Sequence, residues 1–265
     1  MSAGVVPPLD TAAYASGGYL VVRGLFGAGA VAAMRAEADR LLDLVVDASL
    51  RTGEVSPRLD VCRRGDRVSV RKIQPLTDIS PVFAAIAADP RLTGVLAELL
   101  SDRPVLIEEK LNYKQLIDAP LPCERAGDSF DYHHDHAYFA QQGYPAETLT
   151  VGIMVDANTV ENGALRVLPG SQRREWRLHE GNPLLDEAVD ETAAVDVVGE
   201  PGDAVVFTSR LVHASPDNRT EAPRRLLLLS YHPAWHGAEP DVRNRPLRER
   251  ATAHEARAAA LAAAG

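Results

Sequence analysis

Cysteine is nearly missing from this chain: Cys62 and Cys123 are the only two in 265 residues. Two thiols cannot supply the disulfide framework on which small secreted domains depend, so a reducing, cytoplasmic setting is expected. Long apolar runs are also missing, and nothing approaches the ~20 residues of a membrane-spanning helix. The opening "MSAGVVPPLD" has neither the basic region nor the apolar stretch of a secretory signal. Positive charge is in deficit, with a net charge of −9. Non-specific nucleic-acid binding, which needs clustered Lys and Arg against phosphate, is therefore disfavoured. What is present is a chain with 46% hydrophobic residues. That is enough to bury a sizeable core, and a single domain over 1–265 is expected.

Hydrophobic periodicity divides the chain into three parts. Residues 1–103 read as largely helical. "GYLVVRGLF" (18–26) is a short strand, and the next segment repeats Val31, Met34, Ala38, Leu41, Leu42 and Val45 at helical spacing. "VSPRLDVCRRGDRVSVRKIQPL" reads as loop plus strand. "ISPVFAAIAADPRLTGVLAELLSD" reads as two short helices divided at Pro90. From 104 to 236 the pattern turns to short β runs, such as "LTVGIMVDA", "DAVVFTSRLVHAS" and "RRLLLLSYHPAW", separated by turn formers. An eight-stranded jelly-roll core with flanking helices, of the cupin-like double-stranded β-helix kind, is the expected architecture. Residues 237–265 read as a C-terminal helical tail.

The segment "DYHHDHAYFA" (131–140) holds three of the eight histidines. On a strand, side chains alternate faces, so His133 pairs with Asp135 and His134 with His136. The first pair is an H-x-D set in need of a distant third ligand. The second is an H-x-H set of cupin type, but "YFAQQ" after it lacks the carboxylate that such a site adds. His213, at the end of an apolar strand in "SRLVHASPDNRT", is the best third ligand for His133 and Asp135. Two imidazoles and one carboxylate leave three positions open on an octahedral metal, the facial triad of non-haem Fe(II) oxygenases. Eleven residues further on, Arg224 offers the planar cation that a 2-oxoglutarate carboxylate needs. Arg224 and Arg225 face opposite ways on a strand, and Arg224 is taken as the inward one.

"YHHDHAYF", "ENGALRVLPGSQ" and "PGDAVVFTSRLVHASPDNRTEAPRRLLLLSY" together resemble the phytanoyl-CoA dioxygenase family of Fe(II)/2-oxoglutarate oxygenases. The family order is H-x-D, N-G-x-L-x-x-x-P-G-S-H, G-D, H-x-S-x-x-N and Arg. All but one of these elements occur here, over roughly residues 105–233. "LNYKQ" followed by "FDYHHDHAYFAQQGYP" looks most like the ectoine hydroxylase branch. The resemblance implies His133, Asp135 and His213 as catalytic iron ligands, and Arg224 on the far carboxylate of 2-oxoglutarate. It further implies Lys114, Asn112, Thr150 and Ser215 around that co-substrate. The reaction implied is hydroxylation by O₂, with release of succinate and CO₂. The retained carboxylate of Asp135 disfavours halogenation, because related halogenases carry a small residue there. Desaturation, cyclisation and epimerisation use the same machinery.

The chain also departs from that branch. Glu108 stands where ectoine hydroxylases carry Gln, "LLLL" replaces an aromatic after the Arg, and Gln172 replaces the usual His of PGSH. A small polar substrate is expected, such as an amino acid, cyclic amine or natural-product intermediate. Glu108 or Glu109, Arg71, His136, Tyr138, Phe139, Arg166 and Trp176 are the candidate wall residues. The segment 65–74 is placed as a lid carrying Arg71. Neither nucleic acid nor membrane is an expected partner, and the chain is taken as a monomer or homodimer. A cupin-type metalloenzyme on His134 and His136, or a non-catalytic domain that keeps the fold, are the competing readings.

Overall fold

The computed structural model describes residues 8–180, 185–242 and 244–264. Most of the opening stretch weighed against a secretory signal lies outside them. Within the described residues, eleven strands form a seven-stranded and a four-stranded sheet. Eight of them fall in the expected β region. These are β4 (Pro104–Ile117), β5 (Phe130–His133), β6 (Leu149–Met154), β7 (Leu165–Val167), β8 (Val195–Val197), β9 (Ala204–Thr208), β10 (His213–Ser215) and β11 (Leu226–Pro233). The order β9-β6-β11-β4 lies within the larger sheet, and β5-β10-β7-β8 makes the smaller one. All neighbours are antiparallel. This is the double-stranded β-helix.

The first hundred residues contribute more strand than their pattern suggests. β1 (Tyr19–Val22) joins one edge of the larger sheet beside β9. β2 (Leu59–Arg64) and β3 (Arg67–Ile73) form a hairpin that extends it beyond β4. The segment read as a lid is thus a fixed strand in the sheet wall. Arg63, Arg64, Asp66 and Arg67 crowd the hairpin turn and hide its two-residue periodicity.

Helices cover the outer face of the larger sheet. α1 is Thr11–Gly17, α2 Ala28–Thr52, α3 Pro81–Ala87 and α4 Pro90–Leu100. Every periodic apolar position of α2 is buried. Pro81 and Pro90 open their helices, where a missing N–H costs nothing, and the side chains of Ser80 and Asp89 cap them. Leu111 and Tyr113 of β4 and Leu227, Leu229 and Tyr231 of β11 point into this layer. The Tyr113 hydroxyl donates to the Ala38 carbonyl at 2.7 Å, and the Tyr231 hydroxyl to that of Ala87 at 2.8 Å. The C-terminal helix α6 (Arg245–Ala264) packs on α2. It is pinned by the buried Arg58, which bridges Asp78 and Glu255. No described helix is long and apolar enough to cross a membrane. The opposite face of the larger sheet looks toward the smaller sheet. Between them lies a cavity of about 390 Å³.

Candidate metal centre and co-substrate pocket

The His–x–Asp pair converges by a turn, not by the strand alternation expected of it. β5 ends at His133, and the chain then bends into the short helix α5 (His136–Phe139). Asp135 sits just before α5 with helical backbone angles, φ −60° and ψ −31°. The bend swings the carboxylate back toward the cavity. His213 lies directly opposite His133 in the β5–β10 ladder, and the two ring centroids are 4.3 Å apart. Both Nε2 atoms stand 3.8 Å from Asp135 Oδ1. Among the described residues, no other group of three His, Cys, Asp or Glu side chains is gathered this way.

The remaining atoms of the trio are already committed. His133 Nδ1 is 2.7 Å from the Asp131 carbonyl, and His213 Nδ1 is 2.9 Å from that of Leu211. Each Nδ1 therefore carries the proton, which leaves the Nε2 lone pair facing the carboxylate. Asp135 Oδ2 accepts from the Thr150 hydroxyl at 2.8 Å, and Ser230 backs Thr150 at 2.9 Å. Oδ1 alone is left to the cavity. Burial, with His213 alongside, lowers His133 to about 3. Burial by itself would raise Asp135, but His213, Lys110, His133 and the Thr150 bond hold it at about 2. Neutral imidazoles and an ionised carboxylate are the forms a divalent metal requires. Two nitrogens and one oxygen on one side suit Fe(II) with three positions left open.

His134 and His136 stack on each other with centroids 6.5 Å apart, and neither lines the cavity. The H-x-H alternative thus finds no third ligand among the described residues, and His136 is not a wall residue. Its backbone N–H is spent on the Ser209 carbonyl, at 2.8 Å, on the far side of the bend.

Arg224 closes one end of the cavity. It is 0% exposed, and its Nη2 donates to Ser215 Oγ and to the Gly163 carbonyl. Its Nε and Nη1 are buried without a partner. Burial lowers this guanidinium to about 10, so it remains charged at neutral pH. A buried cation with two unspent donors is a fitted receptor for a carboxylate. Arg225 faces the opposite way, toward Asp156 and Asp39. Gly163, of the N-G motif, has φ +75°, and a Cβ there would strike the Pro216 carbonyl. This turn needs glycine to bring its carbonyl to Arg224. Asn218 fastens the loop after His213 by donating to the carbonyls of Lys114 and Ala222.

Asn112, Thr150 and Ser215 line the cavity, and Asn112 Oδ1 is buried without a partner. Lys114 does not line it. The β3–β4 register passes from Val70↔Gln115 to Lys72↔Asn112, so β4 carries one extra residue there. Lys114, at φ +43°, is turned out of line. Its Nζ goes instead to the carbonyls of Ser215 and Pro216, behind the pocket.

Glu108, Arg71, Tyr138 and Phe139 all border the cavity. Glu109, on the other face of β4, is taken up by Thr77, Asn244 and Arg248. Arg166 is outside, because Leu165 and Val167 point inward on β7. It pairs with Asp196 at 3.0 Å. Trp176 is also outside, with Nε1 on the Ser171 carbonyl and Arg174 over its ring. Sequence reading overlooked Lys110, which shares the inward face of β4 with Glu108 and pairs with it at 2.6 Å. Period-two alternation from Glu108 would have found it. Asp60, Lys72 and Arg125 were also overlooked. They depend on the hairpin register and on a loop that carries no motif.

Fold and donor set together define a non-haem iron oxygenase that takes 2-oxoglutarate. Residues 14–226 match the phytanoyl-CoA dioxygenase (PhyH) family, and the chain belongs to that family of Fe(II)/2-oxoglutarate-dependent dioxygenases. The ectoine dioxygenase of Sphingopyxis alaskensis is 28% identical over 245 residues, covering 84% of this chain and 74% of its own. The crystal structure of EctD from S. alaskensis with 2-oxoglutarate and 5-hydroxyectoine superposes with a TM-score of 0.69 at 25% identity, over 89% of this chain and 80% of that one. Another structure of EctD from S. alaskensis holds iron. The epimerase SnoN, in complex with Fe3+, alpha ketoglutarate and nogalamycin RO, shares the fold. Its TM-score is 0.65 at 23% identity, over 84% of this chain and 82% of that one.

Proposed function

We propose that the protein hydroxylates an unactivated C–H bond of a small polar metabolite, with an amino acid, a cyclic amine or a natural-product intermediate as the substrate classes. 2-Oxoglutarate is consumed to succinate and CO₂. His133, Asp135 and His213 hold Fe(II), which with 2-oxoglutarate and O₂ supplies the oxidising power. Arg224, with Ser215 beside it, clamps the distal carboxylate of the co-substrate. Thr150 keeps Asp135 on one oxygen. The wall of Glu108, Lys110 and Arg71 orients a polar substrate, and Tyr138 and Phe139 shield the reacting end from water. The observation that carries this reading is the buried Arg224, with two unpartnered donors, in the cavity that opens on the His–Asp–His trio.

Ectoine names the S. alaskensis relative, but the charged Glu108–Lys110 pair and the leucines that β11 sets in the cavity make the wall here. A different polar substrate is therefore proposed. The test is aerobic incubation with Fe(II), 2-oxoglutarate and a panel of amino acids and cyclic amines. Succinate should appear only with iron, and faster with the accepted substrate, whose product gains one oxygen atom. Iron-independent succinate release, or none with any condition, would contradict the proposal.

A further inference from the structure

Arg71 carries more than a wall position. It is only 5% exposed, and three contacts fix it. Nη1 donates to Asp60 at 2.8 Å, Nη2 to the Ser129 carbonyl at 2.7 Å, and the guanidinium lies 4.2 Å from the Phe130 ring centroid. Its Nε is buried without a partner. A locked cation on a cavity wall with one unspent donor favours an incoming hydrogen-bond acceptor that bears negative charge. The wall around it points the same way. Apart from the metal trio and Arg224, the described lining has four cationic side chains, Arg71, Lys72, Lys110 and Arg125. Three anionic ones face them, Asp60, Glu108 and Asp131. Arg125 stands exposed at the rim, and its side chain makes no ion pair among the described residues.

We propose that the substrate bears an oxyanion, either a carboxylate or a phosphate-type group, which Arg71 binds inside the cavity after Arg125 has attracted it at the mouth. This rests on the oxygenase reading above and narrows its substrate. It also sets which carbon reacts. Phe130, under Arg71, precedes His133 on the same strand, and a bulge sets these three residues of β5 against two of β10, a separation of about 7 Å. The oxidised carbon therefore lies several bonds from the oxyanion, toward the far end of the molecule, and not next to the anionic group.

The full chain is loaded anaerobically with Fe(II) and saturating 2-oxoglutarate, and the visible charge-transfer band and thermal midpoint are followed. Sodium acetate, sodium phosphate and methylammonium chloride are added, each against sodium chloride at equal ionic strength. Acetate or phosphate should move the band maximum and raise the midpoint, and methylammonium should not. Arg71→Gln should still form the band but need at least ~10-fold more anion for the same effect. A response to acetate alone assigns a carboxylate, and one to phosphate alone a phosphate-type group. The proposal is overturned if neither anion acts beyond chloride, if the anions merely bleach the band by displacing 2-oxoglutarate, or if Arg71→Gln responds like wild type. Should Arg71→Gln not load, Arg71→Lys, which keeps a cation beside Asp60 but lacks Nε, decides on the same criteria. A wild-type protein that forms no band overturns the oxygenase reading itself.

Discussion

Replacing Arg224 with methionine should spare the stability of the co-substrate-free protein and weaken 2-oxoglutarate binding. The side chain is fully buried, and burial depresses its guanidinium well below its ordinary value, to about 10. A fall of that size corresponds to about 3 kcal/mol of desolvation cost. Two bonds from the charged guanidinium, to Ser215 and to the Gly163 carbonyl, return about 3 kcal/mol between them. Methionine approximates the shape without the charge. The co-substrate-free variant is therefore expected to stay within about 1 kcal/mol of wild type, ~2–4 °C in Tm. In the complex the balance is lost. The carboxylate engages Nε and Nη1, and losing a buried charge-assisted pair costs about 3 kcal/mol, so 2-oxoglutarate should bind about 100-fold more weakly. Differential scanning calorimetry gives the first quantity, and anaerobic titration of the visible band gives the second. Equal 2-oxoglutarate affinity in the two proteins would refute the assignment of Arg224.

Thr150→Val removes the bond that reserves one oxygen of Asp135, at nearly constant volume. Iron affinity should fall ~10–100-fold in a chelator competition, with the fold kept; unchanged affinity would remove Thr150 from the metal's support. Lys114 is lowered by burial to about 6, against 10.5 when solvated. Between these values the unfolded chain binds the extra proton, so the co-substrate-free protein should gain stability as pH rises from 6 toward 10.5. Lys114→Met should be more stable than wild type at pH 7 and lose that slope, which denaturant melts at several pH values will check. Arg166→Ala should leave turnover unchanged and cost less than about 1 kcal/mol, since it breaks only half-exposed ion pairs on the outer face of β7. A large loss of substrate affinity in that variant would mean that the cavity reaches further than described.

Much of this site was legible because its parts are motif-bound and local. The eight core strands, the burial of α2 and the break at Pro90 follow from periodicity and turn chemistry. His133, Asp135 and His213 were chosen by residue type and order, and Arg224 by its distance along the next strand. The geometry that joins His133 to Asp135 was not legible, because a strand that ends one residue early looks the same in sequence as one that continues. Lys114 escaped for a related reason. A single extra residue in β4 turns it away from the alternation that Glu108, Lys110 and Asn112 obey. Arg166 and His136 were selected by chemistry near the motifs, but the flanking Leu165 and Val167 decide the direction of the first, and the bend before α5 that of the second. The hairpin β2–β3 was obscured by its charged turn, and with it the wall made by Asp60 and Lys72.

The most direct test of the account is anaerobic addition of Fe(II) and then 2-oxoglutarate to the wild-type protein and to His133→Ala, Asp135→Ala and His213→Ala, followed by visible absorption. The account predicts a metal-to-ligand charge-transfer band in wild type, formed with one equivalent of iron. The two histidine variants should lose it while circular dichroism shows an intact fold, and Asp135→Ala should bind iron far more weakly. A full-strength band in either histidine variant, or none in wild type, would contradict the assignment of His133, Asp135 and His213 as the iron site.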